Sequence, residues 1–135
     1  MPYQTEITND GTGILRTWTG AVTGQEITEA AASLVPADRD AAHISHLLID
    51  LTRVTSFDVS VEEINAYMAF QEENAEILGP IPVALVAPKA SSPSLARMYG
   101  ALVGITSWEV FPFRTVSEAR VWLTASLMKR SKAVV

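Results

Sequence analysis

The stretch Leu47-Leu48-Ile49-Asp50-Leu51-Thr52-Arg53-Val54-Thr55-Ser56-Phe57-Asp58-Val59-Ser60 decides the fold. It opens as an apolar run that stops at an aspartate, and it delivers a second aspartate and a serine to the start of a helical pattern. An apolar run without alternation reads as a strand covered on both faces, and polar residues just after such a strand fall where open α/β sheets hold their ligands. On this reading His46 to Leu51 is the strand and Ser60 to Leu78 the helix.

Upstream, Tyr3 to Thr8 alternates, Asn9-Asp10-Gly11-Thr12-Gly13 signals a turn, and Ile14 to Thr19 completes a hairpin. Val22 to Val35 changes period, with Ile27, Ala30, Ala31 and Leu34 at helical spacing and Pro36 as the stop. Downstream, Ile81 to Ala87 and Trp108 to Phe113 read as strands, while Ser92 to Val103 and Thr115 to Met128 read as helices. Pro112 has no amide to donate, which marks the last strand as an edge. Thr23-Gly24-Gln25-Glu26, Ser60-Val61-Glu62-Glu63 and Thr115-Val116-Ser117-Glu118 are capping boxes, so each hydroxyl has a structural task. Ser92-Pro93 puts proline at the first position of a fourth helix.

This order predicts one α/β domain over residues 1–135: a mixed five-stranded sheet with an antiparallel first strand, then parallel βα units, and four helices. The run Asp50-Leu51-Thr52-Arg53-Val54-Thr55-Ser56-Phe57-Asp58 resembles the D-L-x-x-V-T-x-x-D pattern of STAS domains, and more closely that of their SpoIIAA-like relatives. The resemblance implies βα units wound as one superhelix, with consecutive parallel strands side by side and helices mainly on one face. Leu47-Leu48-Ile49 and Val83-Ala84-Leu85-Val86 are nevertheless apolar at both parities. A flanking helix, a subunit or an apolar ligand must therefore cover the second face.

Composition narrows the function. A formal net charge of −5 with scattered basic residues argues against a nucleic-acid backbone as partner. The absence of cysteine rules out disulfides and thiolate metal sites. Met1 to Gly20 has no continuous apolar core of the signal-peptide kind, and Ile81 to Ala87 is far shorter than the roughly 20 residues that span a bilayer. A cytoplasmic protein without an integral membrane segment is expected. The basic cluster Lys129-Arg130-Lys132 closes a helix, where cations offset the carbonyl end of the dipole.

No cofactor, metal site or catalytic set is expected, because there is no Gly-rich phosphate loop, nucleophile elbow or His-Glu metal motif. The expected role is a binding or regulatory module acting through protein contacts or as a homodimer. On the long helix, Val61, Ile64, Met68, Ala75 and Leu78 form the expected core stripe, while Tyr67, Phe70 and Ile77 form a second stripe suited to an interface. An alternative is an anion-preferring pocket for a small molecule or lipid at the carboxyl ends of the central strands. Asp50, Thr52, Ser56 and Asp58 would face Lys89, Ser91, Ser92 and Arg97 there. The resemblance adds a third reading. Anti-sigma-factor antagonists carry a D-S-S-G or D-S-x-G motif at this helix start, and matching it places Asp58 on the motif aspartate and Ser60 on the phosphoacceptor. Val59 and Val61 then stand where that motif has serine and glycine.

Overall fold

The computed structural model describes residues 3–8, 11–34, 44–87, 93–105 and 107–133. Strands β1 (Tyr3–Ile7) and β2 (Gly13–Thr23) lead into α1 (Gly24–Ala32), and β3 (His46–Asp58) leads into α2 (Val61–Leu78). Strand β4 (Pro82–Val86), α3 (Pro93–Val103), β5 (Glu109–Phe113) and α4 (Val116–Ala133) complete the chain. The strands lie in the order β1-β2-β3-β4-β5, with β1 antiparallel to β2 and every later pair parallel. The expected mixed α/β sheet and its four helices are all present.

Helix starts follow local chemistry. The Ser60 hydroxyl accepts from the Glu63 amide at 3.1 Å, and the Glu63 carboxylate accepts from the Ser60 amide at 3.0 Å. The Glu118 amide donates to Thr115 Oγ1 at 3.2 Å, and the Glu26 carboxylate accepts from the Thr23 amide and hydroxyl at 2.9 and 2.8 Å. Each box ties up amides that the first helical turn cannot use. Gly24 is required for a different reason. A Cβ there would overlap the Glu63 carboxyl group, so the first turn of α1 approaches the capping box of α2 too closely for any other residue.

Two strands run longer than their apolar content predicts. β3 continues past Leu51 to Asp58, and β2 continues past Thr19 to Thr23, pairing Thr23 with Asp58. β4 pairs with β3 only from Leu47 to Asp50. Beyond that point β2 and β3 form a two-stranded ribbon, and β3 carries an extra residue at each of two register shifts, Thr17/Thr19 and Gly20/Ala21. Thr52, Val54 and Thr55 suit such a ribbon because β-branched side chains favour extended backbone whether or not a helix covers them. The loop expected after Leu51 is therefore strand.

The two sheet faces are covered differently. Leu47, Ile49, Val83 and Leu85 point into a large core with Ile27, Ala30, Ala31, Ile64, Leu95 and Leu102 from α1, α2 and α3. The opposite parity, Leu48, Ala84 and Val86, packs against Ala119 and Leu123 of α4, with Leu15, Phe113, Val116 and Trp122 around them. The flanking helix is thus what covers the second face, and it reaches β3, β4 and β5. Arg130 anchors it by donating to the Pro80 carbonyl and pairing with Glu109 at 3.2 Å. Among the described residues no helix is long and apolar enough to cross a membrane.

Candidate functional site

α4 does not extend over the whole second face, and the remainder is a groove. It lies between α4 and the amino-terminal halves of β2 and β3, with edge strand β1 at its side, and has a volume of about 530 Å³. Its apolar lining is Ile7, Ile14, Leu15, Leu48, Leu123 and Leu127, and its polar lining is Glu6, Thr8, His46, Arg120 and Thr124. Sheet geometry explains the lining. Leu15 and Leu48 are register partners of one parity, and Leu123 and Leu127 are one helical turn apart. Ile7 at the open side is 64% exposed. A volume of this size lies inside the roughly 300–1,000 Å³ range of small-molecule pockets. Among the described residues no group of three metal-ligating side chains forms anywhere.

The crevice expected at the carboxyl ends of the central strands is only partly within view. Lys89, Ser91 and Ser92 lie outside the described residues. Asp50 ends the β3 pairing with β4 opposite Val86 and is buried, and its Oδ1 accepts from the Thr52 amide at 2.9 Å and the Thr52 hydroxyl at 2.7 Å. This local clasp sits where β2 and β3 shift register, so Asp50 has a structural task. Ser56 and Asp58 are exposed further along the ribbon, opposite Ala21 and Thr23. Arg97 is exposed on α3. Ser60 is exposed and engaged as the cap of α2.

The long helix presents a different face from the one its apolar residues predict. Its buried positions are Ile64, Tyr67, Gln71, Asn74 and Ala75, whereas Val61 is 45% exposed. Tyr67 therefore belongs to the core and not to an exposed stripe; Phe70 is exposed and Ile77 half-buried. The reason is a buried polar chain. Gln71 Nε2 donates to the Tyr67 hydroxyl at 2.9 Å, and Asn74 Nδ2 donates to Gln71 Oε1 at 3.0 Å and to the Ala31 carbonyl at 2.8 Å. Burial pushes the Tyr67 phenol up to about 12, partly offset by the Gln71 hydrogen bond and by Arg16, so the hydroxyl stays neutral.

Sequence reasoning missed the groove and this polar chain for separate reasons. Both-parity apolarity in β3 announced a second covered face, but not how far the last helix would reach. Gln71 and Asn74 follow Tyr67 at helical spacing, a pattern that counting apolar residues passes over.

Three solved structures share this architecture. The anti-sigma factor antagonist SpoIIAA in its unphosphorylated form aligns with 88% of this chain and 94% of its own, at 11% identity and a TM-score of 0.54. The fold is SpoIIAA-like. The phosphorylated form of the Bacillus cell fate determinant SpoIIAA aligns with 90% of this chain and 98% of its own, at 16% identity and a TM-score of 0.53. An uncharacterised DUF3478-family protein with a SpoIIAA-like fold, from Shewanella loihica PV-4, aligns with 90% of this chain and 91% of its own, at 16% identity and a TM-score of 0.54. No family model and no curated protein matches the sequence. At these identities the SpoIIAA-like chain shares a backbone plan with its neighbours, and function has to be argued from its own surface.

Proposed function

We propose that this SpoIIAA-like chain is a non-catalytic binding module that recognises a protein partner, and that the partner places an apolar segment in the groove between α4 and β1–β3. The groove carries this reading: it is the part of the second sheet face that the chain's own helix leaves open, and six apolar side chains line it beside Glu6, His46 and Arg120. Two features support a protein as occupant. The exposed Ile7 belongs to edge strand β1, whose outer side has no strand beside it among the described residues, so an extended partner segment could pair with the edge and seat side chains in the groove. The SpoIIAA neighbour, moreover, is named as an antagonist of an anti-sigma factor, which is a regulatory role exercised on another protein.

A small amphipathic molecule is the second reading, favoured by the volume of about 530 Å³ and by Arg120 in the lining as a counter-charge for an acidic head. One experiment separates the two. Native mass spectrometry of protein purified from its own host is expected to show a complex with a second polypeptide that Leu127→Glu removes. Added mass of a few hundred daltons would move the assignment to the small molecule. If Leu127→Glu retained the same complex, the groove would not be the binding site.

A further inference from the structure

On the three-helix face, Arg16 of β2 is 7% exposed and lies in the core against α1 and α2. Its guanidinium donates to the Ala30 carbonyl and, at 3.3 Å, to the Ser33 hydroxyl, while its Cζ sits 5.3 Å from the centre of the Tyr3 ring. Both hydrogen-bond acceptors are neutral, and among the described residues no carboxylate pairs with it. The Nε hydrogen is buried and without a partner.

Arginine does not escape such a site by losing its proton, since its intrinsic pKa lies above about 12. The carbonyl end of α1 supplies part of the missing negative charge, equivalent to roughly half an electron. Among the described residues the remainder is unanswered, and a buried cation without a counter-charge is a several-kcal/mol liability. Next to it is a cavity of about 20 Å³, lined by Arg16, Tyr67 and Gln71 among apolar side chains that include Ile27, Leu47 and Met98. That is somewhat more than the roughly 10–15 Å³ that one water requires. The Tyr67 oxygen already accepts from Gln71, which leaves the phenol proton to donate.

We propose that this cavity is a binding site for one monovalent anion of chloride size, held by the Arg16 Nε–H and the Tyr67 O–H. Each donor lacks an acceptor among the described residues, the cavity admits a single atom, and an apolar wall on the remaining sides favours a weakly hydrated halide over a phosphate or a carboxylate. The site is independent of the groove on the other face, so either assignment can fail without the other.

The test is the melting temperature of the full chain in sodium chloride or bromide against sodium gluconate at matched ionic strength. Tm is expected to rise with halide concentration and to be flat in gluconate, because a ligand bound only by the folded state stabilises it in proportion to the logarithm of its concentration. Arg16→Met should abolish the dependence whatever its own Tm. Should that variant not fold, chloride NMR line-broadening by the wild-type protein, reduced several-fold by Tyr67→Phe, is the second readout. Equal melting in halide and gluconate with no line-broadening would mean that water fills the cavity, and would overturn the proposal. So would a halide dependence that survives in Arg16→Met. Asp38 and Asp40 are the carboxylates of the chain between α1 and β3; halide binding that appears only after both are changed to Asn would show that the charge is answered from within the chain, and would overturn it as well.

Discussion

The two faces of the sheet use opposite arrangements. Under α1, α2 and α3 the core is wide enough to enclose polar side chains, and Arg16, Gln71 and Asn74 lie within it, each at 7% exposure or less. Arg16 and Asn74 donate to the carbonyls of Ala30 and Ala31, the last turn of α1, where intrahelical donors run out. Under α4 the contact is apolar and narrow, built on Leu48, Ala84, Val86, Ala119 and Leu123, and it leaves the groove beside it. Three helices enclose polar groups away from bulk solvent, so whatever satisfies those groups must lie within the core. A single helix cannot span five strands, so open surface remains for a partner.

The largest effects should come from cutting the two cores at equivalent places. Leu85 is fully buried beneath the three helices, and Leu85→Ala is expected to destabilise by about 3–4 kcal/mol, near the middle of the range for buried leucines. Leu123 borders the groove, so Leu123→Ala should lose about 2 kcal/mol, because a site open on one side leaves less of an enclosed void. Denaturant titration of the two variants measures the difference. Equal losses would mean that the groove is closed in solution.

Next in size is an alkaline transition specific to the three-helix face. The Tyr67 phenol is raised from its usual 10 to about 12 in the folded protein. A raised value means that the folded state holds the proton more tightly than the unfolded chain. The associated stability is complete below pH 10 and is lost as pH rises from 10 towards 12, by roughly 2–3 kcal/mol. Tyr67→Phe should remove that component of the pH dependence, while being less stable at neutral pH by about 1–2 kcal/mol because Gln71 loses its acceptor. Urea midpoints of both proteins from pH 8 to 12 test the sign and the window.

Smaller changes probe positions outside both cores. Ser60→Ala should destabilise by about 1 kcal/mol and Ser60→Asp should be close to neutral, because aspartate caps as well as serine does. Thermal melting distinguishes them. If Ser60→Asp kept its stability yet lost a co-purifying partner, Ser60 would be a regulatory position as well as a cap. Phe70→Glu, on the exposed side of α2, should change stability by less than about 0.5 kcal/mol. Sedimentation of that variant tests the homodimer: a wild-type dimer converted to monomer would place the contact on α2, whereas an unchanged state would direct attention back to the groove.

What the sequence alone determined is local or ordinal. Capping boxes at Thr23, Ser60 and Thr115 start helices because their hydrogen bonds close within four residues, and Pro112 sits in an edge strand because a missing amide cannot serve a central one. The succession of strands and helices pointed to a mixed sheet with parallel βα units, and the resemblance to SpoIIAA-like domains implied that consecutive strands lie side by side, as they do. Tertiary structure decided the rest. The lengths of β2 and β3 depend on each strand being the other's partner, which no single segment encodes, and so Ser56 and Asp58 became ribbon instead of loop. Arg16 looks like an ordinary surface residue of an alternating strand until α1 and α2 close over it. The groove exists because α4 stops short of β1 and β2, a matter of where a helix lies on a sheet and not of which residues it contains.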